Sequence, residues 1–88
     1  MSKSLHTAKI TVVIPEISHV LSEKAETFIC GFIDKHKDAV VNYIISDKCV
    51  KVRVTAPLGV PVFAMVSEVF LLLESIATSK EVSYSVER

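Results

Sequence analysis

The fold is decided by the segment Val40-Val-Asn-Tyr-Ile-Ile-Ser46, the pair Asp47-Lys48, and Cys49-Val-Lys-Val-Arg-Val-Thr55. The second run alternates strictly, with valines at 50, 52 and 54 on one side and Lys51, Arg53 and Thr55 on the other. This alternation is typical of a strand that buries one face and exposes the other. Two such runs with a tight connection between them predict a β-hairpin.

The chain before the hairpin predicts a strand and then a helix. Residues 8–14 are β-branched with Ile10, Val12 and Ile14 on one face, and Pro15 ends the strand because proline cannot donate to a ladder. From about 16 to 37 the period becomes helical, with Ser18 as a suitable N-cap. The apolar stripe of this helix comprises Leu21, Ala25, Phe28, Ile29, Phe32 and Ile33.

The chain after the hairpin predicts a second helix and an undecided tail. Pro57-Leu-Gly-Val-Pro61 ends the strand and introduces a helix that runs to about residue 79. Residues 81–87 alternate again, which fits either a short fourth strand or an added arm. The order is βαββα or βαββαβ: a two-layer α+β fold with an antiparallel sheet of three to four strands and both helices on one face. We expect one domain over 1–88, with 1–7 as a disordered arm and 80–88 as a tail or fourth strand.

The composition limits the function classes. The chain has 88 residues, half of them hydrophobic, a mean hydropathy of +0.46, and ten basic residues against ten acidic ones. So small a domain buries only about 60% of its unfolded surface, so some apolar residues should reach the surface as interaction sites. Zero net charge argues against nucleic acid or membrane as the main partner. Residues 1–5 show no signal-peptide pattern and no apolar stretch is long enough to span a bilayer, so we expect a soluble, cytoplasmic protein.

The second helix carries the strongest functional signal because it is apolar on two adjacent seams. The first seam comprises Val62, Met65, Val69, Leu72 and Ile76, and the second comprises Phe63, Val66, Phe70, Leu73 and Ala77. One seam suffices to pack on the sheet. The second could pack on the first helix, or part of it could bind a partner subunit. The predicted interface consists of Phe63, Val66, Phe70, Leu71, Leu73 and Ala77.

Signatures of catalysis are absent or weak in the sequence. Gly31 and Gly59 are the only glycines, so a phosphate-cradling glycine loop is not expected. Cys30 and His36 lack the further ligands of a zinc site, and we interpret them as a buried thiol and a solvated helix-end histidine. We therefore predict no catalytic residues, no metal and no cofactor. Lys51 and Arg53 fit a solvated sheet face or an auxiliary RNA phosphate contact.

Together these segments resemble the small dimerising subunit of the KEOPS complex. The similarity covers about residues 8–76: a strand closed by Pro15, an amphipathic helix, paired strands at 41–44 and 50–56, and a helix containing Val66-Ser67. That family carries an arginine early in the last helix and an Asn-Ser pair one turn later, where this chain has Phe63 and Ser67-Glu68. The chain therefore resembles a divergent paralogue.

The resemblance implies a non-catalytic protein. Such subunits dimerise and bind the ATP-dependent catalytic subunit of a complex that helps make threonylcarbamoyl-adenosine in transfer RNA. The implied partners are a second copy or a paralogue and that catalytic subunit, with indirect contact to tRNA. An alternative function is a ferredoxin-like homo-oligomer that acts as a small-ligand-binding or regulatory module. A third, less favoured function is an RNA-binding module that uses Lys51 and Arg53.

Overall fold

The computed structural model describes residues 4–15, 17–77 and 83–87. Six elements follow one another: β1 (Leu5–Val13), α1 (His19–Lys35), β2 (Val40–Ile45), β3 (Cys49–Pro57), α2 (Val62–Ile76) and β4 (Ser83–Glu87). The predicted hairpin and both helices are present, and the helix bounds are shorter than the periodicity predicted. In the tail, Ser83–Glu87 form a fourth strand, which resolves the choice between the two predicted orders, and residues 80–82 and 88 lie outside the described part of the chain.

The four strands form one antiparallel sheet in the order β2-β3-β1-β4. The two central strands pair along their whole length, with Ile10 opposite Val52, and the edge strand β4 places Tyr84 opposite Val12. A βαββαβ chain with this strand order has the ferredoxin-like arrangement. The predicted two-layer α+β class is thus confirmed.

The core lies between the sheet and the two helices. Residues with even numbers in β1 and β3 point inward, so Ile10, Val12, Val50, Val52 and Val54 are buried together with one face of each helix. The alternation that predicted the hairpin therefore also assigns its inner face correctly. The opposite face of the sheet points away from both helices.

The first strand begins earlier than the sequence predicted. We expected a disordered arm over 1–7, whereas Leu5–Thr7 belong to β1 and pair with residues 55–57 of β3. Two side-chain hydrogen bonds accompany this pairing: Thr7 Oγ1 lies 3.0 Å from Thr55 Oγ1, and His6 Nε2 lies 2.7 Å from the Val60 carbonyl oxygen. The long central strand β3 offers these partners, which a local pattern cannot reveal. Residues 1–3 lie outside the described part of the chain.

The ends of the helices follow from local chemistry. The Ser18 hydroxyl accepts a hydrogen bond from the Leu21 N–H at 3.1 Å, so the predicted N-cap is present. Before α2, the Val60 N–H donates to the Pro57 carbonyl at 3.1 Å across a turn whose third residue, Gly59, has φ +104°. A type II turn requires positive φ at that position, which explains the glycine.

Candidate interaction surface

The orientation of α2 decides which apolar residues face the core. Its buried residues are Val62, Met65, Val66, Val69 and Leu73. Two predicted interface residues are therefore core residues, since Val66 is 0% exposed and Leu73 is 1% exposed. Successive residues of an α-helix are about 100° apart around its axis. On this basis the buried face of α2 is centred between the two seams, so residues of both seams pack on the sheet.

The outer face of α2 retains large apolar side chains. Phe63, Ser67 and Leu71 follow one another at intervals of four residues, so they form one row along the helix. Leu71 is 61% exposed and Phe63 is 42% exposed. The Ser67 hydroxyl donates to the Phe63 carbonyl at 3.0 Å and so turns back onto its own helix. The row therefore presents mainly hydrocarbon to the outside, with the exposed carboxylate of Glu74 beside it.

A second apolar group lies where α2 meets the edge of the sheet. The rings of Phe70 and Tyr84 lie 4.2 Å apart at 38°. Tyr84 and Val86 lie opposite inward-pointing β1 residues, yet Tyr84 remains 55% exposed and Val86 is exposed as well. The cause is the placement of α2, which packs on β1 and β3 and leaves β4 largely uncovered. Phe70 is half-buried and lies between the core and the uncovered edge strand β4.

The last predicted interface residue, Ala77, caps the end of α2. It is half-buried, and its N–H donates to the Leu73 carbonyl at 3.1 Å. The tail that follows contributes Tyr84 and Val86, which the interface prediction did not include. Their alternation with serines was visible in the sequence, but the position of α2 above the sheet was not. We call Phe63, Phe70, Leu71, Tyr84 and Val86 together the α2–β4 surface.

A small ion-pair cluster joins the two helices on the other side of α2. The Lys35 ammonium lies 2.8 Å from Glu68 Oε1, and His36 Nε2 lies 3.1 Å from Glu68 Oε2. The hydrogen bond from Lys35, with that of His36, lowers the pKa of Glu68 below its usual value against a smaller opposing effect of burial. The cluster closes the junction between α1 and α2.

The interpretation of Cys30 as a buried thiol was wrong, and His36 lies at the helix end as predicted but is not solvated. Cys30 is exposed, and its sulfur lies 3.8 Å from the Tyr43 hydroxyl, a hydrogen bond that raises the pKa of Tyr43. His36 is half-buried, with its ring 4.5 Å from that of Phe32. The helix turns the thiol outward while its last turn packs on α2. Within the described residues, no group of three or more His, Cys, Asp or Glu side chains could hold a metal ion.

Lys51 and Arg53 lie on the outer face of the sheet, and the sheet separates them from the helix layer that holds most of the α2–β4 surface. Both side chains are exposed, as the alternation of β3 predicted. The helices pack on the opposite face, so the two groups of candidate residues do not form one site. In the described ranges, no helix is long and apolar enough to cross a bilayer.

Comparison with known proteins supports the fold. No protein-family model matches the chain, and no curated protein matches it either. Among solved structures, a de novo designed protein named Foldit4 is similar, with a TM-score of 0.62, 10% identity, and coverage of 97% of this chain and 98% of the designed one. At this identity the likeness concerns the two-layer α+β fold alone.

Proposed function

We propose that this chain is a non-catalytic association subunit that pairs with a second copy or a paralogue through the α2–β4 surface. The observation that carries the proposal is the exposure of Leu71 in one helical row with Phe63, beside an edge strand whose apolar side chains are also uncovered. Burying one Leu or Phe side chain contributes about 1.5–3 kcal/mol, so these residues favour a partner over water.

The geometry supports pairing at an edge rather than on a flat face. β4 is the last strand of the sheet, so one edge of its backbone points away from β1. A partner that lies against this edge would contact Tyr84 and Val86. It could extend from there to the outer row of α2. The ion-pair cluster lies on the other side of α2 and is not disturbed by such a partner.

We further propose that the assembly is a KEOPS-like complex for threonylcarbamoyl-adenosine formation in tRNA. The support is the resemblance over about residues 8–76 to the small dimerising subunit of that complex, and it assigns no catalytic role to this chain. The polar contacts of that family do not carry over, because Phe63 and Ser67-Glu68 replace its arginine and Asn-Ser pair. Contact with the catalytic subunit is tested by titrating the purified proteins against each other.

The decisive experiment compares Leu71→Lys with Val20→Lys. Leu71 is 61% exposed on α2 and Val20 is 60% exposed on α1, so the two substitutions remove similar accessible hydrocarbon and add the same charge. Analytical ultracentrifugation of the full chain, alone and with a paralogue or KEOPS dimerising subunit, should show association weakened at least about tenfold by Leu71→Lys only. Phe70 is unsuitable as the test site because it also packs on the core and Tyr84.

Circular dichroism provides the necessary check that both variants fold. Equal melting curves with lost association for Leu71→Lys alone support the proposal. Unchanged association of Leu71→Lys, or equal loss in Val20→Lys, contradicts it. A chain that is monomeric alone and with each of those partners at high micromolar concentration also contradicts it.

A second candidate function is a ferredoxin-like homo-oligomer that binds a small ligand between subunits. The observation in its favour is β4, because this hypothesis requires residues 81–87 to add a fourth strand and Ser83–Glu87 do so. It predicts that a ligand raises the melting temperature of the oligomer and has no effect on the monomeric Leu71→Lys variant. The first proposal requires no ligand for association.

A further inference from the structure

The outer face of the sheet is open and has more basic than acidic side chains in the described strands. Both described helices lie on the opposite face, so outward side chains of all four strands face the surroundings. Two adjacent rows cross its centre: Asn42, Arg53, Lys9 and Glu87 form one, and Ile44, Lys51, Thr11 and Ser85 form the other. Three cations therefore lie on the two central strands.

The placement of these cations is unfavourable for the fold by itself. Lys9 is directly opposite Arg53, and Lys51 is diagonal to Lys9 across the same strand pair. Like charges directly opposite each other destabilise a sheet. In the described part of the chain, Glu87 is the only acidic residue on this face, and it lies opposite Lys9 at the edge. An anion bound between the three cations would relieve this repulsion.

The surface between the two rows is also concave. A depression of about 460 Å³ lies over the central strands, lined by the three cations, the Glu87 carboxylate, Asn42, Thr11 and Ile44 among others. Volumes of this order are common for small-ligand sites. The amide and hydroxyl groups add hydrogen-bond donors to the cations, and Ile44 gives one apolar side. The depression is therefore suited to a ligand with several anionic oxygens.

We propose that Lys9, Lys51 and Arg53 form a phosphate-binding site on the outer sheet face, for a chain of two or more phosphates. The Arg53 guanidinium can bind two phosphate oxygens at once, and the lysines act as point charges beside it. The phosphates can belong to a free nucleotide or to a single RNA strand. The outward side chains of the described strands include no aromatic ring, so base stacking does not contribute and no sequence preference is expected.

This site is independent of the proposed association. The α2–β4 surface lies on the helix side and edge, whereas the three cations lie on the centre of the opposite face. A ligand can therefore occupy the outer face of each subunit in a dimer. Loss of phosphate binding leaves the association proposal intact, and the Leu71→Lys variant should retain phosphate binding.

The test uses the full chain with two probes at low salt: inorganic tripolyphosphate by calorimetry and a short fluorescent oligouridylate by anisotropy. Arg53→Gln and Lys9→Gln should each weaken binding about tenfold, as expected for a lost hydrogen bond to a charged group. Glu87→Gln should tighten binding severalfold because it removes the one nearby acid. Lys24→Gln, an exposed cation on α1, is the matched control and should have no effect.

The two probes distinguish the sources of phosphate. Binding of tripolyphosphate alone assigns the site to free polyphosphate ligands. Binding of oligouridylate, with a slope of log K against log salt of about −2 for three neutralised phosphates, assigns it to an RNA backbone. Binding of neither probe overturns the proposal, as does an equal loss in Lys24→Gln or weaker binding in Glu87→Gln. Melting curves confirm that each variant is folded.

Discussion

The two helices lie side by side on the same face of the sheet, yet they present different surfaces to the outside. The exposed charged residues of α1 are Glu23, Lys24, Glu26, Asp34 and Lys35. The fifteen residues of α2 include only two charged ones, Glu68 and Glu74, and Glu68 is engaged by α1. The outward row of α2 instead contains Phe63 and Leu71.

The difference shows that exposure alone does not identify an interaction surface. Val20 on α1 and Leu71 on α2 are equally exposed, and each has an exposed glutamate three residues later, but Val20 also has Lys24 beside it, whereas Leu71 continues the row of Phe63 and Ser67. Charged side chains hold water around them, and charged residues are depleted from the centres of protein interfaces. The surroundings therefore favour α2 as the contact helix and α1 as the solvated one.

The largest expected effect concerns the inner faces, where the two helices should behave alike. Leu73→Ala on α2 and Leu21→Ala on α1 each remove a buried side chain and leave a cavity, so each should lower the free energy of unfolding by about 2–5 kcal/mol. Urea unfolding followed by circular dichroism measures both. If Leu73→Ala weakened association and left stability unchanged, Leu73 would be an interface residue as the sequence predicted.

A smaller effect is expected where the helices begin, because only α1 has a side-chain cap. Ser18→Ala removes the acceptor of the Leu21 N–H and should cost about 1 kcal/mol of unfolding free energy. α2 follows Pro61, which makes no side-chain capping hydrogen bond. Ser67→Ala, in the middle of α2, is the control and should change stability by less than about 0.5 kcal/mol, since alanine has the better helix propensity. Equal losses in the two variants would contradict a specific cap.

The strands and helices of this fold could be predicted from the sequence because their signals are local. The valines of β3 and the stripe of α1 repeat at the period of their own element. The tail remained undecided because five residues with two serines carry little information, and only β1 provides the partner that makes them a strand. The earlier start of β1 at Leu5–Thr7 has the same cause, since its partners are residues 55–57 of β3, far along the chain.

The candidate surface could be predicted only in part. The sequence identified α2 as too apolar for a simple two-layer helix, and Leu71 and Phe63 are exposed as expected. The sequence could not distinguish these exposed residues from the buried Val66 and Leu73. Periodicity shows which residues share a helix face, but it does not show how the helix is rotated about its axis relative to the sheet. That rotation follows from packing on β1 and β3. Tyr84 and Val86 were missed because their exposure depends on the placement of α2, which packs on β1 and β3 and leaves β4 largely uncovered.

The smallest expected effect concerns the junction between the helices, where Glu68 binds Lys35 and His36. The Lys35 and His36 hydrogen bonds lower the pKa of Glu68 in the folded state, so its charge contributes stability at neutral pH. That contribution is lost as the pH falls from the usual glutamate value of about 4.3 through the lower folded pKa. The side chain is 36% exposed, so solvent screening limits the contribution to less than about 1 kcal/mol.

Glu68→Gln tests this assignment because glutamine keeps the size and one hydrogen bond but cannot ionise. The wild-type chain should be more stable than the variant at pH 7, and the difference should shrink progressively when urea unfolding is repeated at pH values that fall below the usual glutamate pKa. Glu74→Gln, on the exposed face of the same helix, makes no ion pair in the described residues and should show no such pH-dependent difference. A constant difference for Glu68→Gln across this range would mean that the carboxylate contributes through packing, and the two helices would then be joined by shape and not by charge.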